Sequence, residues 1–289
     1  MESWSSDFVS KLGLEQVISN PSAMALEHFP PFLLDRSLLH SSDLITGHVK
    51  NASLRGHRPT FEVVPMPRAY NGDRPIVCAD LVTRAAYAAL ALAAQPGLDP
   101  DSRAPETQEE FQSYGSTIPG FSHVVVADIA AFYEYIVPGL LADELMLRTD
   151  DAVLVDALNG VLLELSTLGR GIPQMLLPSD RLSDVYLAPV DRALARALWS
   201  FKRTADDYKI LATDWDSANK ALDLLEREVR AIGLILSASK TRVVRAGPAA
   251  MSKGSSAREA EEQEQEECEE WAVSPEDPLL EWHARWEAD

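Results

Sequence analysis

The chain has 289 residues, 46% of them apolar and 25% charged, enough for one large or two modest domains with a proper core. Its formal charge of −19 argues against bulk affinity for nucleic acid, and no run of about 18 apolar residues occurs, so no membrane-spanning helix is expected. Met1-Glu2-Ser3-Trp4-Ser5 lacks a basic stretch followed by an apolar block, so no secretory signal is expected. Cys78 and Cys268 lack metal-ligand spacing and read as free thiols in a reducing cytoplasm.

The charge is unevenly spread. Residues 257–289 hold thirteen acids against two arginines, and they read as an acidic, solvated or disordered tail, with a charged helix over Glu259–Trp271 as the alternative. Between Lys50 and Arg84 the balance reverses, with six basic residues (Lys50, Arg55, Arg58, Arg68, Arg74, Arg84) against Glu62, Asp73 and Asp80. An acidic protein with such a local basic segment can still hold a polyanion in one groove.

Residues 1–58 read as an N-terminal helical extension, with Phe8, Val9 and Leu12 on one face and Pro21, Pro30 and Pro31 as punctuation. His40, His48 and His57 have no ligand spacing and read as surface or satisfied positions. From Pro59 the pattern turns β-prone. Thr60–Pro65 and Arg74–Cys78 flank the turn signal Asn71-Gly72-Asp73, which predicts a hairpin carrying Arg68 and Arg74 on its arms. Ala79–Ala94 has helical spacing at Leu81, Ala85, Ala88, Ala89 and Leu92. Residues 97–120 read as a loop.

His123–Asp128 is a buried-type strand ending in an acid, followed by the aromatic run Ile129–Ile136. Residues 138–168 read as mostly helical and Gly169–Gln174 as a loop. Ser179–Trp199 reads as a long helix capped by Ser179 or Asp180. Phe201–Leu211 reads as a hairpin with Asp206-Asp207 at its tip. A second amphipathic helix follows, with Asp216 or Ser217 as cap and Gly233 as stop. Short apolar segments, Leu234–Ser237 and Thr241–Val244, flank Lys240. This order of elements is α+β and not doubly wound.

Adjacent carboxylates resist joint ionisation unless a cation sits between them. Alone, Asp206-Asp207 reads either as a solvated turn or as half of a divalent-metal site. The surrounding motifs supply more. Asp128 lies upstream at a strand end, Gly171-Ile172-Pro173-Gln174 stands between, and Gly233-Leu234-Ile235-Leu236-Ser237-Ala238-Ser239-Lys240-Thr241 lies downstream. In that order these elements resemble the palm of reverse transcriptases, nearest in look to the bacterial retron, group II intron and defence-associated (abortive-infection type) branch. The resemblance covers Pro59 to Val244.

The resemblance implies a right-hand polymerase palm, an antiparallel sheet with helices, plus fingers, with a thumb that is reduced or absent. It divides the chain into fingers at 59–122, palm at 123–246 with a helical insert at 138–168, and the acidic tail at 247–289. Asp128, Asp206 and Asp207 are then the catalytic acids and ligands of two Mg²⁺ ions, with Mn²⁺ as a possible substitute. Lys240 becomes the candidate proton donor near the leaving pyrophosphate. Tyr133 would sit under the nucleotide sugar, Gln174 near the incoming nucleotide, and Arg68 and Arg74, from motifs resembling Pro-Lys-Pro and Arg-Pro, on its triphosphate. Two positions depart from the family pattern: Met175 stands where Gly is usual, and Thr204 where Tyr is usual. The implied partners are an RNA template, a DNA or RNA primer and deoxynucleoside triphosphates, with a structured non-coding RNA or a protein as a possible supplier of thumb function. An antiviral defence system or a retroelement is the implied setting. The competing expectation is a palm-fold protein that binds nucleic acid or a partner with weak, untemplated or no polymerase activity.

Overall fold

The computed structural model describes residues 3–20, 24, 26, 41–67, 72–94, 98, 102–115, 119–166 and 168–246. The expectations placed on Arg68, His40, Cys268 and the acidic tail fall outside these residues, and with them the question of a thumb after residue 246.

Three helices open the chain: α1 (Ser6–Lys11), α2 (Leu14–Ile18) and α3 (Ser42–Arg55). Ser5 caps α1 by accepting the Phe8 N–H at 3.2 Å, satisfying one of the donors a helix start leaves open. Val9 and Leu12 are buried as the spacing predicts. Helix α4 (Leu81–Ala94) buries residues on every side, because alanines and one tyrosine let neighbours approach all round. Asp80 precedes it, accepting the Thr83 N–H and hydroxyl and meeting His57 at 3.0 Å, so His57 is a satisfied histidine. Strands β1 (Phe61–Pro67) and β2 (Asp73–Ala79) form the expected hairpin, in register from Phe61 opposite Ala79 to Pro67 opposite Asp73.

The loop expected over 97–120 contains a helix, α5 (Pro105–Ser113). Proline fits the first turn of a helix, where its missing N–H is not needed. No residue of α5 is buried, so it has no apolar stripe to betray it. It is fastened by polar contacts instead: Lys202 pairs with Glu110 at 2.6 Å, and Lys209 donates to the Phe111 and Gln112 carbonyls at 2.8 and 3.1 Å.

Strand β3 (His123–Asp128) leads into the short helix α6 (Phe132–Tyr135). The helical stretch after it is two helices, α7 (Pro138–Thr149) and α8 (Ala152–Leu165). Asp150 between them is left-handed, and Asp151 caps the second by accepting the Leu154 N–H at 3.0 Å. Helix α9 runs Leu177–Arg196, starting two residues before the expected Ser179. Pro178 suits that first turn, and Ser179 is buried against the Tyr87 hydroxyl at 2.8 Å instead of serving as a cap.

Strands β4 (Phe201–Thr204) and β5 (Asp207–Ala212) form the second hairpin. Helix α10 (Trp215–Ala231) is capped by Asp214 and not by Asp216 or Ser217; the Asp214 and Ser217 side chains bond each other's backbone N–H groups in a capping box. Strand β6 (Arg242–Arg245) closes a four-stranded antiparallel sheet of order β4-β5-β3-β6.

The architecture is therefore a mixed helix and strand fold with two small antiparallel sheets. Period-two alternation gives the larger sheet two unlike faces. Val125, Ala127, Tyr208, Ile210 and Ala212 join the apolar core on the face toward α10. By the same register Asp128, Asp207, Lys209 and Lys202 lie on the opposite face. One continuous core runs from Val9 in α1 to Leu234, and α4 packs within it against α2, α3, α8 and α9. No helix among the described residues is long and apolar enough to cross a membrane.

Candidate active site

The site begins with strand pairing. Asp128 ends β3 directly opposite Asp207, the first residue of β5. The hairpin turn is only two residues, Ala205 and Asp206, with Ala205 left-handed at φ 49°. The Ile129 N–H donates to the Asp206 carbonyl at 3.3 Å, so the turn abuts the end of β3. Asp128 is buried, Asp206 partly buried and Asp207 exposed.

The segment after α10 delivers the fourth group. Gly233 turns the chain at φ 82°. Ala130 then donates its N–H to the Ile235 carbonyl at 2.9 Å, and Ser237 donates to the Asp128 carbonyl at 2.7 Å. This short antiparallel run sets Lys240 Nζ 3.1 Å from Asp128 Oδ1. The structure thus brings Asp128, Asp206, Asp207 and Lys240 to one end of one sheet.

Electrostatics mark Asp206 as the perturbed member. Burial and the nearby Asp128 charge push its carboxyl up to about 6, against the pull of Arg103 and Lys240. Arg103 was not an expected site residue. It donates to the Tyr133 hydroxyl, forms an ion pair with Asp180 and lies 5.6 Å from the Tyr133 ring centre. The Tyr133 hydroxyl itself donates to Asp180 Oδ1 at 2.6 Å. Burial pushes the Tyr133 phenol up, and Asp206 adds to that effect. Tyr133 therefore belongs electrostatically to the carboxylate group.

Beneath the turn lies a buried polar network that also went unforeseen. Arg203 donates to Asp184 Oδ1 at 2.7 Å, to the Ala205 carbonyl at 2.9 Å and to Asp191 Oδ2 at 3.0 Å. The Tyr208 hydroxyl donates to Asp191 at 2.8 Å. Ser102 donates to Asp184 at 2.6 Å and accepts the Ala205 N–H at 3.1 Å. Arg203 and Ser102 thus hold Ala205, the first residue of the turn, by its carbonyl and its N–H. In sequence their one visible signal is charge at positions with strand or helix periodicity, where an apolar residue would be ordinary.

The Gly-Ile-Pro-Gln loop docks on the segment that follows Asp128. Gly171 donates to the Ile136 carbonyl at 2.6 Å and Ile172 to the Tyr133 carbonyl at 2.9 Å. Gly171 sits at φ 89°, where a Cβ would come within 3.2 Å of the Glu134 carbonyl oxygen, so the close approach requires glycine. Gln174 lines a cleft between this loop and the β1–β2 hairpin, together with Val63, Pro75, Val77, Tyr135 and Leu165. Arg74 lies on β2 beside Pro75. Met175 is left-handed at φ 62°, a backbone region that favours glycine. The Thr204 hydroxyl is buried with no hydrogen-bond partner.

Among the described residues no group of three or more His, Cys, Asp and Glu side chains stands together as a ready cage for a metal ion. The Asp128 and Asp206 pair still suits Mg²⁺ by its donor chemistry. That ion is held through one or two carboxylates, waters and substrate phosphates, and seldom by a cage made wholly of protein. Two carboxylates whose mutual repulsion raises one of them are relieved by a cation between them.

No protein-family model matches this chain. No curated protein matches it either.

Proposed function

We propose that the chain is a nucleotidyltransferase of the RNA-directed DNA polymerase kind, built on a right-hand palm. The observation that carries this reading is the convergence of Asp128 with the Asp206-Asp207 turn on antiparallel neighbours, with Lys240 on Asp128 at 3.1 Å. The left-handed backbone at Met175 and the tight docking of Gly171 add support.

In this reading Asp128 and Asp206 hold the metal and Asp207, exposed beside them, assists. Divalent ions held there would supply charge stabilisation for an attacking primer hydroxyl and a departing pyrophosphate. The chain's own task is positioning and charge balance, because phosphoryl transfer asks for little covalent help. Arg203 and Ser102 fix the turn that presents Asp206. Lys240 balances charge at Asp128 and offers a proton at Nζ to a leaving group. Gln174 faces the nucleotide from the loop side of the cleft, and Arg74, on the β2 arm of the hairpin, is the candidate contact to the triphosphate.

Primer extension on a mixed-sequence RNA template with Mg²⁺ tests the reading. Template-directed product from the wild-type chain, abolished in the Asp206→Ala, Asp207→Ala double variant, is the expected result. Undiminished incorporation by the double variant overturns it.

A second reading is a palm-fold protein that binds nucleic acid or a partner without efficient synthesis. It is favoured by the orphaned Thr204 hydroxyl, at the hairpin position where the resemblance expects a tyrosine. Binding of a primer–template duplex with no Mg²⁺-dependent product would select it.

A further inference from the structure

Helix α9 presents two aspartates one turn apart, Asp180 and Asp184. They take hold of two consecutive residues of the segment before α5. Asp184 accepts from Ser102, and Asp180 pairs with Arg103. Ser102 reaches under the turn beside Asp206, since it accepts the Ala205 N–H at 3.1 Å. Arg103 reaches the other way, to the Tyr133 hydroxyl. That hydroxyl is held twice: it receives from Arg103 and gives to Asp180 at 2.6 Å. The Arg103 and Asp180 side chains are 27% and 15% exposed, so both contacts are shielded and worth more than surface pairs.

We infer that Arg103 and Asp180 are positioning residues for sugar selection, clamping the Tyr133 hydroxyl so that its ring cannot yield beside the carboxylate pair. The inference rests on the polymerase reading above, in which Tyr133 faces the nucleotide sugar. A ring excludes a 2′-hydroxyl only if it stays where it is. An untethered phenol turns about its side-chain torsions and makes room. A phenol whose oxygen is fixed by a cation and an anion cannot turn without giving up two charge-assisted hydrogen bonds in a shielded site. The clamp thus converts a steric preference into a costly one. It ties Tyr133 to helix α9 and to the segment that supports the Asp206 turn, so ring and carboxylate are held by one frame.

The test is competition between deoxynucleotides and ribonucleotides in Mg²⁺-dependent primer extension. It uses the full chain and the variants Tyr133→Phe, Asp180→Ala and Asp180→Asn. Tyr133→Phe keeps the ring and removes the tether. Loss of a shielded hydrogen bond to a charged group predicts that its kcat/KM ratio of deoxynucleotide to ribonucleotide falls about tenfold. The fall comes from improved ribonucleotide use, which a merely weakened fold cannot produce. Asp180→Ala is expected to behave alike. Asp180→Asn keeps an acceptor for the hydroxyl and is expected to restore most of the discrimination. An unchanged ratio in Tyr133→Phe and Asp180→Ala, with wild-type incorporation intact, overturns the clamp and leaves the polymerase reading standing. Absence of Mg²⁺-dependent incorporation by the wild-type chain overturns that reading and the clamp with it.

Discussion

Lys240 Nζ stands 3.1 Å from Asp128 Oδ1 across 112 residues of sequence. The contact joins the end of β3 to the turn before β6. A lysine so placed can balance a carboxylate and can also release a proton, whereas arginine does only the first. Lys240→Ala is expected to slow single-turnover incorporation about 10²-fold, the scale of a lost general acid. Lys240→Arg is expected to keep the pairing and recover little of the rate. Wild-type rates in Lys240→Arg would assign the residue to charge balance alone.

Asp206 gives a pH dependence of known sign. Its carboxyl is raised to about 6 in the fold, by burial first and Asp128 second, from an ordinary value of 3.8. The folded state therefore binds the extra proton between these values, and stability falls as pH rises from 3.8 through about 6. Asp206→Asn removes that penalty. Its melting temperature is expected to exceed wild type at pH 7.5 by more than at pH 4, measured by thermal denaturation without metal. Mg²⁺ affinity of the wild-type chain is expected to rise as pH passes through about 6, when the carboxylate ionises. Titration calorimetry at pH 5 and pH 7.5 checks it.

Asp184 is the anion shared by Ser102 and Arg203 beneath the turn. The Asp184 and Arg203 side chains are 3% and 10% exposed. Removing Asp184 leaves Arg203 with Asp191 at 3.0 Å but deprives Arg203 and Ser102 of a shared buried acceptor, at a cost of about 1.5–3 kcal/mol. Asp184→Ala is expected to lose that much in urea unfolding. A loss under about 1 kcal/mol would show that the network does not anchor the hairpin.

Gly171 carries a backbone conformation that other residues reach only with strain. At φ 89°, a methyl group would also press within 3.2 Å of the Glu134 carbonyl. Gly171→Ala is expected to destabilise the fold by about 1–3 kcal/mol. It is also expected to raise the KM for nucleotide, because the loop carrying Gln174 must lift away from Tyr133. Met175→Gly serves as the contrast. Its φ of 62° already suits glycine, so the backbone accepts the change without rearranging, and the nucleotide KM is expected to move far less than in Gly171→Ala.

Several elements were legible because their causes are local. The short β-branched apolar run of His123–Asp128, ending in an acid, marks a buried-type strand with those very bounds. The turn residues before Asp73 mark the first hairpin, and the alanine-rich run through Ala94 marks α4. Helix α5 was illegible for the opposite reason: its sequence buries nothing, and its partners Lys202 and Lys209 lie about ninety residues downstream. The nearer expected caps, Ser179 and Asp216, lie three and two residues after the observed Leu176 and Asp214, because Pro178 and the Asp214–Ser217 exchange decide the starts of α9 and α10.

The sequence by itself determined which acids could act together: Asp128 at a strand end and Asp206-Asp207 at a hairpin tip, each set by strand period and turn chemistry within a few residues. Only the tertiary structure decided which groups surround them. Ser102, Asp184 and Arg203 meet across 19 to 82 positions of chain, Arg103 and Asp180 pair across a similar span, and no local pattern encodes such meetings. Charged groups that are buried must find partners wherever the packing of α9 against the sheet places them. That packing ties Tyr133 and the Asp206 turn to one helix.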